Sequence, residues 1–476
     1  MRSQGIVALL ALMAGVSAHA DFPAALGQYQ AGQYEAAKRE FLQLAGLGNA
    51  AAQHNLGTMA LHGQGGAEDR GEAYGWFLAA GENGNHDLSA GQLEDLRSQL
   101  SPADEAKATP IVAAYGRDAL AAHVLPPSPE TGACVGYAPP AMRIQAPTPY
   151  AYAAREVGRS GVGVVSFTVG ADGLARDQNV VSAMPHPAYG QPAVDAILHS
   201  RFTPATAGGQ PIEARSWAFI GFKLSAGVSS IWDRGILAGL KARAAGGDLP
   251  SLYLYGLIAR LDPGLGETAA EADAMILEAA QNGSPDAQYW IAMELDESRR
   301  CSADRALPWL RAAAQGGHDA ARIALAERLL QGEPDAARIA EAKGWFIGVV
   351  GSRNAYATKH AIARLAASPI EALRDPQAAL RASATLFVKD YNYSQDPQTY
   401  EALAAARAAS GDFKGAVAPQ KSALAAAEAL HWNTALMRER LAAYEAGRMW
   451  YGDLLAVPRS HLAIPDPRGG TRAASR

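Results

Sequence analysis

The residues of this chain that could perform chemistry are scattered. Its 11 histidines include His54, His62, His186 and His199, and none joins a second ligand at the spacing of an H-E-x-x-H helix. No G-x-S-x-G nucleophile motif occurs. Gly161-Val162-Gly163 precedes a predicted strand, whereas a dinucleotide-binding fingerprint opens a helix. We therefore expect no catalytic residues, no cofactor and no enzyme activity.

The two cysteines, Cys134 and Cys301, lie far apart in loop-like surroundings. Without a nearby histidine or further cysteine they do not complete a four-ligand metal set, so no metal site is predicted. They are either independent thiols or a disulfide, which an oxidising compartment permits. The glycines of 63–66 are interpreted as a loop between two helices rather than as a phosphate cradle.

Composition and charge exclude some partners. The net charge is −5, and no long basic run interleaved with aromatic residues occurs, so nucleic acid is not an expected partner. An apolar content of 49% allows packed cores. No small-molecule substrate is evident. Protein partners, including proteins of the cell envelope, are the expected class.

The first twenty residues are typical of an export signal. Arg2 supplies a positive start, residues 6–16 form an apolar stretch, and Ala18-His19-Ala20 is an A-x-A cleavage motif before Asp21. Since about 20 apolar residues are needed to cross a bilayer, the stretch is too short for a typical span. We expect cleavage between Ala20 and Asp21 and a periplasmic protein. The alternative is an uncleaved N-terminus that anchors the chain in the inner membrane, facing the periplasm, and only then contacts the membrane.

Repeated glycine- and alanine-rich patterns predict pairs of helices on both sides of the chain's centre. Gly283, Gly317 and Gly351 follow one another at intervals of 34 residues, and Gly48 precedes Gly84 by 36. A pair of short helices cannot bury its own apolar face, so neighbouring pairs are expected to stack into a solenoid. The units resemble the Sel-one-like repeat family, a relative of the tetratricopeptide repeat. We assign such repeats to 21–125 and 226–370, a tetratricopeptide-like region to 371–455, and a disordered tail to 456–476.

The stretch 150–225 follows a different pattern, and a proline-rich linker at 126–149 is predicted to precede it. Alternating apolar residues predict a strand over 162–169, and Asp172-Gly173 indicates a tight turn into a second extended stretch at 180–182. A helical pattern covers 191–200, and an apolar strand covers 216–224. The expected structure is a small α+β unit with a three-stranded antiparallel sheet. The fold class is therefore multidomain: a mainly α helical-repeat solenoid with this unit inserted.

This stretch resembles the TonB C-terminal domain family. The residues that carry the resemblance are Tyr150, Gly161, Phe167-x-Val169, Asp172-Gly173-Leu174, Val181-Ser182, Ala193, Arg201-Phe202-x-Pro204-Ala205, Gly209-x-Pro211-Ile212 and Phe219-x-x-Phe222. Ala151 departs from the family, which usually has proline after the tyrosine. The resemblance implies partner binding by strand addition, with the last strand as the candidate edge. The partner-binding candidates are Ser216, Trp217, Phe219, Gly221 and Lys223.

The roles of three aromatic and charged residues remain open in the sequence. Phe202 either packs under the sheet or contacts a partner, and Arg201 either caps or pairs locally or contacts a partner. Trp217 is either an exposed anchor or a packing residue.

The predicted function is an exported scaffold for protein–protein interaction. The alternative is a TonB-type energy transducer that supports transport across the outer membrane. That alternative requires an N-terminal membrane anchor and a long spacer, whereas the predicted linker spans 24 residues and the repeats lie between the signal and the domain.

Overall fold

A computed structural model describes residues 20–126, 136–146, 157–158, 160–223, 234–295, 305–387 and 396–458. Residues 1–19 of the predicted export signal, both cysteines, Tyr150 and the residues beyond 458 lie outside the described residues. The chain is mostly helical, with a small antiparallel sheet region near its centre. No helix among the described residues has both the length and the apolar character needed to cross a membrane.

Within residues 20–126 the structure describes seven helices ahead of the sheet region. They are α1 (Phe22–Gln30), α2 (Tyr34–Ala45), α3 (Ala50–Leu61), α4 (Arg70–Glu82), α5 (Ala90–Ser98), α6 (Pro102–Tyr115) and α7 (Arg117–His123). The N-cap residues Asp21, Asn49 and Asp69 each accept a hydrogen bond from a backbone N–H of the first turn, which fixes where α1, α3 and α4 begin.

In the central unit, residues 136–146 and 160–223 form eight strands, one α-helix and a short 3-10 turn at Pro187–Tyr189. The strands are β1 (Tyr137–Ala138), β2 (Ala141–Ile144), β3 (Gly161–Val169), β4 (Ala175–Met184), β5 (Arg201–Thr203), β6 (Ala205–Ala207), β7 (Gln210–Ile212) and β8 (Ala214–Phe222), and the helix is α8 (Gly190–His199). The principal sheet has the order β4-β3-β8 with both pairs antiparallel. We call residues 136–146 and 160–223 the α+β unit.

Part of the predicted linker belongs to this unit. Strand β1 pairs with β6, and β2 pairs with β5, so residues 137–144 form sheet structure. The sequence did not reveal these strands because each has two to four residues, too few to show an alternating pattern. The linker prediction for 126–149 is therefore wrong for 137–144.

Twelve further helices follow the α+β unit within the described residues. They are α9 (Arg234–Ala245), α10 (Leu249–Leu261), α11 (Ala269–Gln281), α12 (Pro285–Met293), α13 (Ala306–Gln315), α14 (Asp319–Leu329), α15 (Ala336–Ile347), α16 (Ala355–Ala367), α17 (Pro376–Ser383), α18 (Pro397–Ala409), α19 (Phe413–Ala429) and α20 (Ala435–Glu445). We call α9–α16 the repeat helices.

The repeat helices form pairs with a recurrent turn. Gly247, Gly283, Gly317 and Gly351 have φ of 86°, 107°, 87° and 93°, the left-handed conformation that ends a helix. A side-chain cap then begins each second helix, from Asp248, Ser284, His318 and Asn354 respectively. A second contact recurs in these helices and in α3. Gln53 of α3, Gln288 of α12 and Arg322 of α14 each donate to the carbonyl eight residues earlier, at 3.2, 3.0 and 3.2 Å.

The helices before and after the α+β unit contact each other directly. The Asn49 amide donates to the Gln281 carbonyl at 3.0 Å, and the Phe22 N–H donates to the Asn282 carbonyl at 3.0 Å. The Trp309 indole donates to the Val124 carbonyl at 2.9 Å, at the end of α7. The α+β unit is therefore inserted into one packed body of helices.

Candidate protein-binding edge

One face of the principal sheet packs against helix α8. On β3 this face carries Val165, Phe167 and Val169, all buried, and on β8 it carries Ile220 and Phe222. A side chain at Gly163 could not fit, because a Cβ there would lie 2.5 Å from the Ala193 methyl of α8. This face is consequently closed within the chain.

The opposite face of the sheet packs against the repeat helices. Val162 and Val164 of β3 are fully buried in the cluster that contains Trp290 of α12 and Tyr356 of α16. Trp217 of β8 contributes to the same contact, with its ring centroid 5.1 Å from that of Trp290 at 58°. Helix α12 is therefore covered on nearly all sides, since each of its residues from 287 to 293 is buried.

The predicted partner-binding residues are divided between the faces and the edge. Trp217 and Phe219 are partly buried and point towards the repeat helices. Ser216 and Gly221 keep part of their surface exposed, and Lys223 is exposed just beyond the end of β8. The structure therefore assigns Trp217 and Phe219 a packing contact, whereas Ser216, Gly221 and Lys223 lie where a partner strand could approach.

The two outer strands of the principal sheet differ in regularity. Strand β8 pairs with β3 over nine consecutive residues without a register shift. Strand β4 has two shifts opposite β3, one between Val164 and Val165 and one between Ser166 and Thr168. Bulges twist an edge away from a regular ladder and weaken it as a template for another strand. Strand β8 is thus the more regular of the two edges.

Strand β4 also faces a confined space. A cleft of about 360 Å³ separates residues 180–183 from the loop that carries Ser352, Arg353 and Asn354. Asp319, at the start of α14, lies at the same cleft and accepts a hydrogen bond from the Ser352 hydroxyl at 2.5 Å. An added strand at β4 would have to enter between the sheet and this loop.

Most of the family-motif residues within the described part of the chain have clear packing roles. A Cβ at Gly161 would lie 2.3 Å from the Tyr189 ring, and a Cβ at Gly173 would lie 2.4 Å from the Phe202 carbonyl. Asp172 forms a buried ion pair with Arg176 and also accepts from the Leu174 N–H. These contacts hold the β3–β4 turn against β5.

Arg201 and Phe202 lie inside the α+β unit. The Arg201 guanidinium donates to the carbonyl of Ser200 at 3.0 Å and to that of His199 at 3.4 Å, which caps the end of α8. The Phe202 ring is buried 4.9 Å from the Phe167 ring. Pro204 links β5 to β6, and Pro211 of β7 pairs with Thr206 of β6.

A polar cluster that the sequence pattern did not indicate joins β4 to helices α14 and α16. Asp177 stands at a bulge of β4 with φ of 57°, a conformation uncommon for any residue but glycine. Its Oδ1 atom lies 2.6 Å from Nε2 of His360 and 3.4 Å from Nζ of Lys359. Glu327 lies on the other side of the imidazole, with Oε1 at 3.9 Å from Nδ1 of His360. We call Asp177, Glu327, Lys359, His360 and Arg364 the interface ion cluster.

The pKa values in this cluster follow from burial and mutual charge. Burial raises the pKa of Asp177, but the His360 and Lys359 charges reverse this and hold it well below its usual range. Burial lowers the pKa of His360, yet the charge and hydrogen bond of Asp177, with Glu327, raise it above its ordinary value. Burial likewise opposes ionisation of Glu327, and its bonds to His360 and Arg364 lower its pKa overall.

A second polar contact lies beside it on β8. The Arg215 guanidinium donates to the Tyr356 hydroxyl at 2.7 Å and lies 5.1 Å from the centre of the same ring. Arg215 also lies 3.4 Å from the Ser166 hydroxyl of β3. Because Tyr356 is on α16, this contact and the interface ion cluster fix the sheet to one helix at two points.

Across the ranges that the structure describes, no group of three or more histidine, cysteine, aspartate or glutamate side chains could hold a metal ion. The buried ion pairs link structural elements to each other. The arrangement is suited to holding a sheet in place and presenting its edge.

Comparison with known proteins supports the central assignment. Residues 146–224 match the model of the family described as the Gram-negative bacterial TonB protein C-terminal. No curated protein matches the chain. The match covers β3 to β8 of the α+β unit, begins after β2 and leaves the helical parts on either side unassigned.

Proposed function

We propose that this protein is a non-enzymatic, exported scaffold of the Gram-negative cell envelope that binds a protein partner by strand addition at β8. The observation that carries the proposal is the closure of both sheet faces within the chain, by α8 on one side and the repeat helices on the other. A partner that joins the principal sheet must then use an edge, and β8 has the regular nine-residue ladder. The family match, to a domain of Gram-negative envelope proteins, supports an envelope partner.

The helix pairs outside the α+β unit would provide binding surface for further protein partners. Stacked helix pairs offer a long surface on which other partners can assemble, in the manner of Sel-one-like and tetratricopeptide repeats. The turn geometry and the eight-residue contacts of Gln53, Gln288 and Arg322 recur from pair to pair and support this interpretation.

Site-specific photocrosslinking in the producing cell tests strand addition. A probe is placed at Ser216 and, in a second variant, at Gly221, and the captured partner residues are mapped by mass spectrometry. Paired strands advance together at about 3.3 Å per residue. Moving the probe by five residues should therefore move the captured residue by about five positions along one extended partner segment.

Ser182 of β4 provides a matched control, because it is a partly exposed serine on the opposite edge of the same sheet. Crosslinks from Ser182 to the same segment, or crosslinks from Ser216 and Gly221 to unrelated partner surfaces, would contradict pairing at β8. The energy-transducer alternative is tested separately, by the N-terminal residue of the purified protein. Asp21 at the N-terminus excludes the anchored form.

A further inference from the structure

The contact between the α+β unit and the repeat helices contains a titratable group at its centre. His360 is 13% exposed and lies between two carboxylates from different elements, Asp177 of β4 and Glu327 of α14. Histidine is the side chain whose ordinary pKa lies closest to physiological pH. A protonated imidazole can donate from both nitrogens and carry a charge for both carboxylates, whereas a neutral one donates from a single nitrogen.

The backbone of β4 is adapted to this contact. Asp177 occupies the left-handed region, with φ of 57°, at a point where β4 has an extra residue relative to β3. Such a conformation costs of the order of 1–3 kcal/mol and persists where surrounding contacts hold it. Here the bulge directs the carboxylate out of the sheet and onto α16, where it meets His360 and Lys359.

We propose that the Asp177–His360 contact is a pH-sensitive lock that holds the α+β unit against the repeat helices. With the imidazole charged, His360 bridges Asp177 and Glu327 and ties β4 to α14 and α16. With the imidazole neutral, Asp177 and Glu327 no longer face a cation at His360, so the attraction that joins β4, α14 and α16 weakens. The lock is independent of which partner binds at β8.

The direction of the pH dependence follows from the folded state. The pKa of His360 is raised above that of an unfolded chain, so its contribution is complete below the unfolded pKa and is lost as pH rises through the folded pKa. Asp177 and Glu327 have lowered pKa values, so their contributions are lost only in acid, as pH falls through their folded pKa values. The lock therefore loosens as pH rises through the folded-state pKa of His360, which lies above its ordinary value.

Other charged and polar groups surround His360 and its carboxylate partners. They are Arg215 of β8, Lys359 and Arg364 of α16, the Tyr356 hydroxyl of α16, Asp396 at the start of α18, and Asp453 near Arg364. Lys359 is shared between Asp177 and Asp396 and is 2% exposed, which keeps one cation beside Asp177 after His360 is neutral. Loss of the His360 charge therefore weakens the contact between the α+β unit and the repeat helices but does not abolish it.

Two variants isolate the lock in the full-length protein. H360Q keeps a hydrogen-bond donor but cannot be charged. D177N removes the carboxylate charge, and asparagine accepts the left-handed backbone as readily as aspartate. H199Q is the matched control, because His199 is an exposed histidine of α8 in the same unit.

The experiment has two readouts: the NMR titration midpoint of His360, and hydrogen exchange of β4 amides between pH 6 and pH 9, corrected for intrinsic rates. In the wild-type and H199Q proteins, the titration midpoint of His360 should lie above pH 6.5. At pH values above this midpoint the β4 amides should open more often, by about tenfold for each pH unit by which the midpoint exceeds 6.5. The D177N midpoint should fall, and H360Q should show opening that does not change with pH.

The proposal is overturned by a wild-type midpoint at or below 6.5, or by a midpoint that D177N leaves unchanged. It is equally overturned if H360Q retains the wild-type pH dependence of β4 exchange. If H360Q does not fold, the midpoints of the wild-type and D177N proteins decide the question alone.

Discussion

Replacing Trp217 with alanine is expected to loosen the sheet from the repeat helices. The indole lies on β8 with its ring 5.1 Å from Trp290 of α12, and it packs against the large apolar cluster of the repeat helices. A free surface anchor for a partner would have no such contact. The W217A variant therefore separates a packing role from a direct binding role.

The magnitude follows from the contacts that are lost. Deleting a buried aromatic side chain lowers the free energy of unfolding by about 3–5 kcal/mol. Because Trp217 is only partly buried, we expect W217A to lower the opening free energy by about 3 kcal/mol. Of this, about 0.5–1.5 kcal/mol should come from the aromatic pair itself. A double-mutant cycle with W217L and W290L measures that share, because leucine removes the ring at either position and the two changes should then be non-additive by this amount.

Native-state hydrogen exchange is the suitable assay, because it reports the opening free energy of β8 and α12 separately from the rest of this large chain. Met142 of β2 provides the control, since it is an apolar side chain of the same unit that is 38% exposed. M142A should change the opening free energy by less than about 0.5 kcal/mol.

The reasoning is refuted if W217A lowers the opening free energy by no more than M142A does while partner crosslinking at Ser216 disappears. That outcome would show Trp217 to be a partner anchor. Unchanged additivity in the cycle would likewise show that the rings do not interact in solution.

Three further perturbations test the packing and the buried charges. G163A should destabilise the protein by about 1–3 kcal/mol in urea unfolding, since the new methyl would lie 2.5 Å from the nearest methyl of α8; an unchanged midpoint would contradict that packing. E401Q should lower the free energy of unfolding by about 3–5 kcal/mol, because it removes the carboxylate that pairs with Arg440 where both side chains are 0% exposed. E445Q changes an exposed ion pair and should lower it by less than about 1 kcal/mol. Equal losses would refute the distinction. Burial lowers the pKa of His318 from 6.5 to about 4, so the free energy of unfolding should fall by about 3 kcal/mol as pH drops from 6.5 towards 4. H318N keeps a capping side chain and should remove that loss in acid unfolding. An unaltered pH profile in H318N would refute the prediction.

The main elements of the α+β unit could be predicted because each has a strong local signal. The strand predicted over 162–169 is β3 (Gly161–Val169), and the helix predicted over 191–200 is α8 (Gly190–His199). The last strand was placed at 216–224 and is found at Ala214–Phe222. The second stretch was predicted over three residues, whereas β4 has ten, because its two bulges break the alternation on which the prediction depends.

The helix pairs were predictable from glycine spacing and caps. The turn at Gly411 separates α18 from α19, and its glycine followed by an aspartate cap is a local signal that the sequence displays. The assignment of these helices to the Sel-one-like and tetratricopeptide families stays a prediction.

The site was only partly accessible from sequence. The candidate edge strand could be named from its position and apolar pattern, but the packing of Trp217 on Trp290 joins residues 73 positions apart in different elements. The pairing of Asp177 with His360 spans 183 positions and depends on a bulge that no local pattern encodes. Such contacts arise from how elements pack, so spacing along the chain carries no signal for them.

The docking of the first helices onto α11 and α12 has a consequence for the order in which the chain can mature. Asn49 reaches its partner carbonyl across a sequence separation of 232 residues, and the Trp309 indole reaches Val124 across 185. Loop closures of this length are slow and come late. The N-terminal helices therefore keep apolar surface uncovered until α11 and α13 have been synthesised. A chain halted before residue 281 cannot finish its first third, which makes early truncations a source of aggregation rather than of smaller working fragments.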